Sequence, residues 1–129
     1  MRKIILALVL IFFFIPTLAE GADWVFVGER KNVSYVYLDK RSIKHVSEHV
    51  VSALVMYKPK RPKEIINFQY GIVDLNIDCS KRRMKIFQET HYFSDGTQNT
   101  ISKKVAKWEC IGLETLGEPV MKYLCKNGK

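Results

Sequence analysis

The sequence has 129 residues, 47% of them hydrophobic and 26% charged, with a formal net charge of +8. That length allows one domain, and that composition is too apolar for a disordered tail. No repeat of roughly 20 to 50 residues is present, which excludes a solenoid or a propeller.

The chain opens with Met1-Arg2-Lys3 and continues as an unbroken apolar run over residues 4–15. Pro16 interrupts the run, and Thr17 and Ala19 supply the small residues that a signal peptidase reads. This order predicts a secretory signal peptide over residues 1–19, with a second cleavage site after Gly21. A single domain over 22–129 remains. As a helix the apolar run spans only ~18 Å against a hydrocarbon core of ~30 Å, so no transmembrane span is expected after cleavage. No cysteine precedes Cys79, so no lipid anchor is expected at the mature N-terminus. The expected location is periplasmic, extracellular or cell-surface. Loss of Arg2 and Lys3 lowers the charge by only two. A basic exported protein meets lipopolysaccharide, phospholipid head groups, acidic glycans or acidic proteins rather than nucleic acid.

Residues 23–28 predict a first strand and 33–38 a second, rich in β-branched and aromatic residues. A polar turn separates them, another covers 39–42, and Ile43 restarts an extended segment. Residues 49–57 form an apolar run that predicts a central strand covered on both faces. Residues 58–64 predict a solvated loop, because Pro59 and Pro62 disfavour a central strand. In 68–79, Val73, Leu75, Ile77 and Cys79 alternate with Asp74, Asn76 and Asp78, so Cys79 is in phase with a buried face. Residues 82–92 predict the returning strand, Asp95-Gly96 a tight turn and 97–101 a short edge strand. Residues 105–111 predict a last strand or an extended connection. The period then changes. Thr115 and Glu118 have the form of a capping box, and Leu116, Val120 and Leu124 recur every four residues. The expected fold is α+β, an antiparallel sheet of about six strands with a short C-terminal helix on one face.

Three cysteines in an oxidising compartment predict one disulfide and one thiol. Cys79 faces the buried side of its strand, and Cys125 lies beside the apolar stripe of the helix that must cover it. That geometry favours Cys79–Cys125 as the staple. A Cys79–Cys110 pair and an intermolecular bridge through Cys110 stay open as alternatives. Cys110, beside Trp108, is expected to be a buried, inert thiol.

Several spaced signatures resemble the surface-adhesin protein E family of exported bacterial proteins. They are Trp24, the run Tyr37-Leu38-Asp39-Lys40-Arg41-Ser42-Ile43, Ile77-Asp78-Cys79 followed by Arg82-Arg83, Trp108, and the segment 115–125 ending in Cys125. The resemblance covers roughly residues 23 to 125. It implies an antiparallel sheet with a C-terminal helix tethered by a disulfide, which supports the Cys79–Cys125 pairing. It also implies a surface protein that binds extracellular-matrix components. Leu113-Glu114 stands where the family usually has Pro-Gly, and the lipid-anchoring cysteine of the naming adhesin is missing from this sequence.

No acidic pair, Gly-rich phosphate loop, Gly-x-Ser-x-Gly or Cys-x-x-Cys points to catalysis or a cofactor. No catalytic or cofactor-binding residue is therefore assigned. Asp39 is expected to cap its turn through its side chain, and Asp78 to serve a structural role. His45 and His49 lie ~13 Å apart in an extended segment, too far to share a metal. Two basic clusters are the best functional candidates: Lys58, Lys60, Arg61 and Lys63, and Lys81, Arg82, Arg83 and Lys85. If both occupy one end of the sheet they form a single cationic patch. Trp24, Phe26, Tyr35 and Tyr37 are in phase and are expected to pack across strands. The function expected is a non-enzymatic exported binding protein for a host matrix protein, an acidic glycan or an anionic envelope surface. The alternative is a periplasmic structural or assembly factor that pairs through an open sheet edge, with a homodimer as one form of it.

Overall fold

The computed structural model describes residues 21–61 and 67–125. The signal-peptide reading of residues 1–19 and the expected contribution of Lys63 fall outside the described residues. The described residues build one antiparallel sheet and one α-helix. β1 (Trp24–Arg30) turns into β2 (Ser34–Asp39), and a single 3-10 turn (Lys40–Ser42) leads to the short β3 (Lys44–His45). The long strands follow: β4 (Val50–Pro59), β5 (Phe68–Asp78) and β6 (Arg83–Phe93). β7 (Gln98–Ser102), β8 (Trp108–Cys110) and α1 (Gly117–Leu124) complete the described elements. The sheet order is β1-β2-β4-β5-β6-β7. β3 extends the same side of β4 that carries β2, and β8 pairs with the first residues of β6 while β7 pairs with its last.

Local chemistry explains the turns. The Asp39 carboxylate accepts from the Arg41 N–H at 3.0 Å and from the Asp23 N–H at 2.9 Å, so it caps its turn as expected and also fastens the entry to β1. The Ser42 hydroxyl donates to the Asp39 carbonyl and accepts from the Leu54 N–H, both at 2.7 Å. At the β6–β7 hairpin, Asp95 accepts from the Thr97 N–H, and Gly96 adopts a φ of +89°. Pro59 proves to be the last residue of β4. It is tolerated because β4 pairs with β5 only as far as Tyr57, while the Lys60 N–H still bonds to the Val33 carbonyl on the β2 side.

Directly opposed residues share a face, so the register defines two surfaces. Leu38 faces Val55, which faces Val73; Ala53 faces Leu75; Val51 faces Ile77, which faces Met84. These side chains form the core with Val36, Ile111, Val120 and Met121. Each large aliphatic side chain fully buried this way contributes roughly 1.5–3 kcal/mol. The helix covers this side. The helix covers only one face of the apolar run of β4: of the side chains that point the other way, Ser52 and Leu54 remain half-buried and Met56 is buried. The described residues supply one covering layer, not two.

Helix α1 seats on β1 and β2. Val120 is fully buried and Met121 nearly so, while Leu116 and Leu124 are half-buried at the rim. A Cβ on Gly28 would lie 2.7 Å from the Pro119 Cβ, so only glycine admits the helix this close to β1. The capping box does not form. The helix starts at Gly117 with Leu116 at its cap, and the Thr115 hydroxyl turns back to the Gly112 carbonyl at 2.8 Å. Glu118 accepts instead from the Glu114 N–H at 3.0 Å and pairs with Lys122. These contacts hold its carboxyl below the usual range, with Lys122 the larger influence. The cause lies upstream: Glu114 takes a φ of +66°, which turns the chain before Thr115 can cap.

Cys79 and Cys125 form the disulfide, with Cα atoms 5.7 Å apart. The bond ties the residue after β5 to the end of α1, so the pairing that staples helix to sheet is the one adopted. Cys110 is exposed, not buried. It lies on β8, a three-residue edge strand opposite Arg83, and its side shares the face away from the helix.

Candidate functional site

The face turned away from α1 holds the notable surface chemistry. Phe26 faces Tyr37, Tyr37 faces Met56, Met56 faces Ile72, and Ile72 faces Thr90. A second row carries Tyr35 opposite Lys58, and Tyr70 opposite Tyr92. Tyr70 precedes Gly71, whose partner Tyr57 precedes Lys58, so both pairs sit at the same level of the sheet. The rings interact edge-on and stacked: Phe26 lies 5.7 Å from Tyr37, and Tyr70 lies 4.7 Å from Tyr92. Phe26 is 57% exposed and Tyr35 41% exposed. Packing across strands therefore occurs as expected, yet it leaves aromatic surface open to solvent.

Cations lie on these rings. The Lys58 Nζ is 5.4 Å from the Tyr37 ring, and the Lys60 Nζ is 5.2 Å from the Tyr35 ring. Lys60 also pairs with Glu29 at 2.9 Å. At the other end of the same face, Arg83 and Lys85 both stand 4.7 Å from the Trp108 ring. Arg83 is fixed from behind, because its Nε donates to the buried Asp78 at 3.2 Å. Asp78 further accepts from the Ser80 N–H, the Ser80 hydroxyl and the Lys81 N–H. Burial pushes its pKa up, but these hydrogen bonds outweigh it and bring the value down to about 2.

The two expected basic clusters do not merge. Lys58, Lys60 and Arg61 mark the end of β4, whereas Lys81, Arg82, Arg83 and Lys85 belong to the β5–β6 turn and the start of β6. Lys58 is six residues from Ser52, which lies level with Asn76 and Lys85, a separation of about 20 Å along the strands. Lys58, Lys60, Arg83 and Lys85 nevertheless share one face. Between the two ends stand Leu54, Asp74 and Gln88. Beside them a cleft of about 570 Å³ is lined by Gly21, Arg41, Ser42, Lys44, Leu54 and Asp74, among others. Tyr70, Tyr92 and the cation pair around Trp108 were not anticipated. The signal for Trp108 was its spacing of two from Cys110, which places both on the edge facing Arg83 and Lys85.

The helix-side face carries one polar cluster. The Tyr57 hydroxyl donates to the Glu89 carboxylate at 2.9 Å, and His91 bonds to the same oxygen. Burial, then the hydrogen bond to Glu89, pushes the Tyr57 hydroxyl well above the usual phenol range, so it stays a donor. Tyr57 lies flat across Gly71, where a Cβ would come within 2.5 Å of the ring. The cluster thus clasps β4 to β6 over β5. Among the described residues, no group of three His, Cys, Asp or Glu side chains is placed to hold a metal. No described helix is long and apolar enough to cross a membrane.

A comparison with curated proteins gives no match. The model of the surface-adhesin protein E family matches residues 24–126. That interval runs from the first residue of β1 past Cys125, and so takes in every strand, the helix and the disulfide. The chain belongs to the surface-adhesin protein E family.

Proposed function

We propose that the protein is exported by a signal peptide over residues 1–19 and acts, without catalysis, as a binding protein for an anionic partner. The surface used is the sheet face away from α1. One observation carries this reading: that face is open and aromatic, and it bears lysines and an arginine held against its rings at both ends. Cations fixed on rings are pre-ordered, which reduces the entropic cost of engaging an anion. The family adds the precedent of surface adhesion, and the net charge, +8 less the two lost with Arg2 and Lys3, favours encounter with polyanions.

Chromatography on immobilised polyglutamate and on immobilised heparin tests it. Retention at low salt is expected on at least one matrix, with release by roughly 0.3 M salt as screening sets in. Lys58→Glu and Lys85→Glu should each elute earlier. Flow-through on both matrices at low salt rejects the reading.

A second reading, an envelope structural or assembly factor, is favoured by β7. All five of its residues, Gln98–Ser102, are exposed and uncharged, and its outer edge is open among the described residues. Such an edge invites another strand, including that of a second copy. Strand pairing would persist at high salt, so association detected by sedimentation in roughly 0.5 M salt would favour it over the first reading.

A further inference from the structure

Resting on the anionic-partner reading, we infer that the partner is a linear acidic polysaccharide lying along the open face from Lys58 to the Trp108 cluster. Three features distinguish this occupant from an acidic polypeptide. The face is a sheet surface on which Phe26 and Tyr35 stay exposed, so it offers aromatic platforms. Sugar rings present flat C–H faces that stack on such platforms, while their carboxylate or sulfate groups project sideways toward cations. Here a cation accompanies a ring at each end: Lys58 on Tyr37, and Lys85 with Arg83 on Trp108. The interval between them carries Leu54, Met56 and Ile72, with Thr90, Asp74 and Gln88 on the same face. The aliphatic side chains suit the C–H faces of sugar rings, and Thr90 and Gln88 can bond to hydroxyl groups.

The geometry sets a length requirement. The two cationic ends are about 20 Å apart along the strands, so an oligosaccharide shorter than that reaches only one of them. Engaging both ends makes the second contact intramolecular, and the affinity rises steeply once the chain is long enough. Asp74 lies between the ends and opposes a polyanion crossing the face. Its neutralisation should strengthen binding of long chains and leave short ones unchanged.

Size-fractionated heparin oligosaccharides, from disaccharide to decasaccharide, are titrated against the full chain by calorimetry, with polyglutamate of matched charge as the other polyanion. The expected result is a step in affinity of tenfold or more at the length that spans both ends, by the effective-concentration argument. Phe26→Ser and Tyr92→Ser, at rings on which none of these cations sits, should weaken the long oligosaccharides about fivefold or more while leaving polyglutamate unaffected. Asp74→Asn should tighten the long chains. Thermal melts of each variant separate loss of binding from loss of fold. If affinity rises smoothly with charge alone, and polyglutamate binds as well and is indifferent to the ring substitutions, the polysaccharide is rejected while the anionic-partner reading stands. Binding of neither polyanion rejects both.

Discussion

Asp78 is a residue whose role can be read in its pH dependence. Its carboxyl titrates near 2, below the ordinary 3.8. A carboxyl depressed by folding adds stability that is fully present above its unfolded value and is lost as pH falls through the folded one. Thermal melts should therefore show stability declining from about pH 4 to about pH 2. Asp78→Asn should be less stable than the natural protein at pH 7, and the gap should close toward pH 2. Gly28 makes a steric counterpart. Gly28→Ala forces a methyl group against Pro119 and should cost about 1–3 kcal/mol, seen as a lower midpoint in urea. Asp39 and Asp78 were legible in the sequence as turn residues, because their side chains act on backbone two or three residues away. Gly28 was not legible, because the reason for it lies on a helix that follows some ninety residues later.

The elements divide along the same line between local and distant causes. The alternation of Val73, Leu75 and Ile77 identifies β5 and its buried face directly. The four-residue recurrence of Leu116, Val120 and Leu124 likewise identifies α1, and together they point to Cys79–Cys125. That bond closes a loop of 46 residues, which corresponds to ~4 kcal/mol of unfolded-state entropy. Cys125→Ala, compared with the natural protein by denaturant melts, should lose stability of that order, and reductant should add little further loss in the variant. Other element-level features depended on irregularities that pattern cannot reveal. A β-bulge at Phe87, between the pairs Leu75–Ile86 and Asp74–Gln88, changes which later residues of β6 face which side. The stacking of Tyr70 on Tyr92 follows from that bulge. The exposure of Cys110 differs from the expected burial because β8 is only three residues long, and burial there depends on where the chain returns, not on its own composition.

At the largest scale, the described residues form one sheet with a helix on one side and an aromatic and cationic face, open among those residues, on the other. Which end each basic cluster occupies follows from strand direction: β5 runs the length of the sheet from the end that holds Lys58 to the end that holds Arg83, so the clusters before and after it lie at opposite ends. The two charged loops were legible; their separation was not. The exposed position of Cys110 gives a simple whole-protein check. A disulfide reagent applied to the native, non-reduced chain should titrate one thiol, and Cys110→Ser should abolish the signal. The staple also has a consequence in time. Cys125 follows every described strand, so the crosslink can close only after the last of them has been made. Until it closes, the helix is held on the sheet by packing alone, through Val120 and Met121. The supply of oxidant therefore decides how long a new chain spends in that less stable, untethered form.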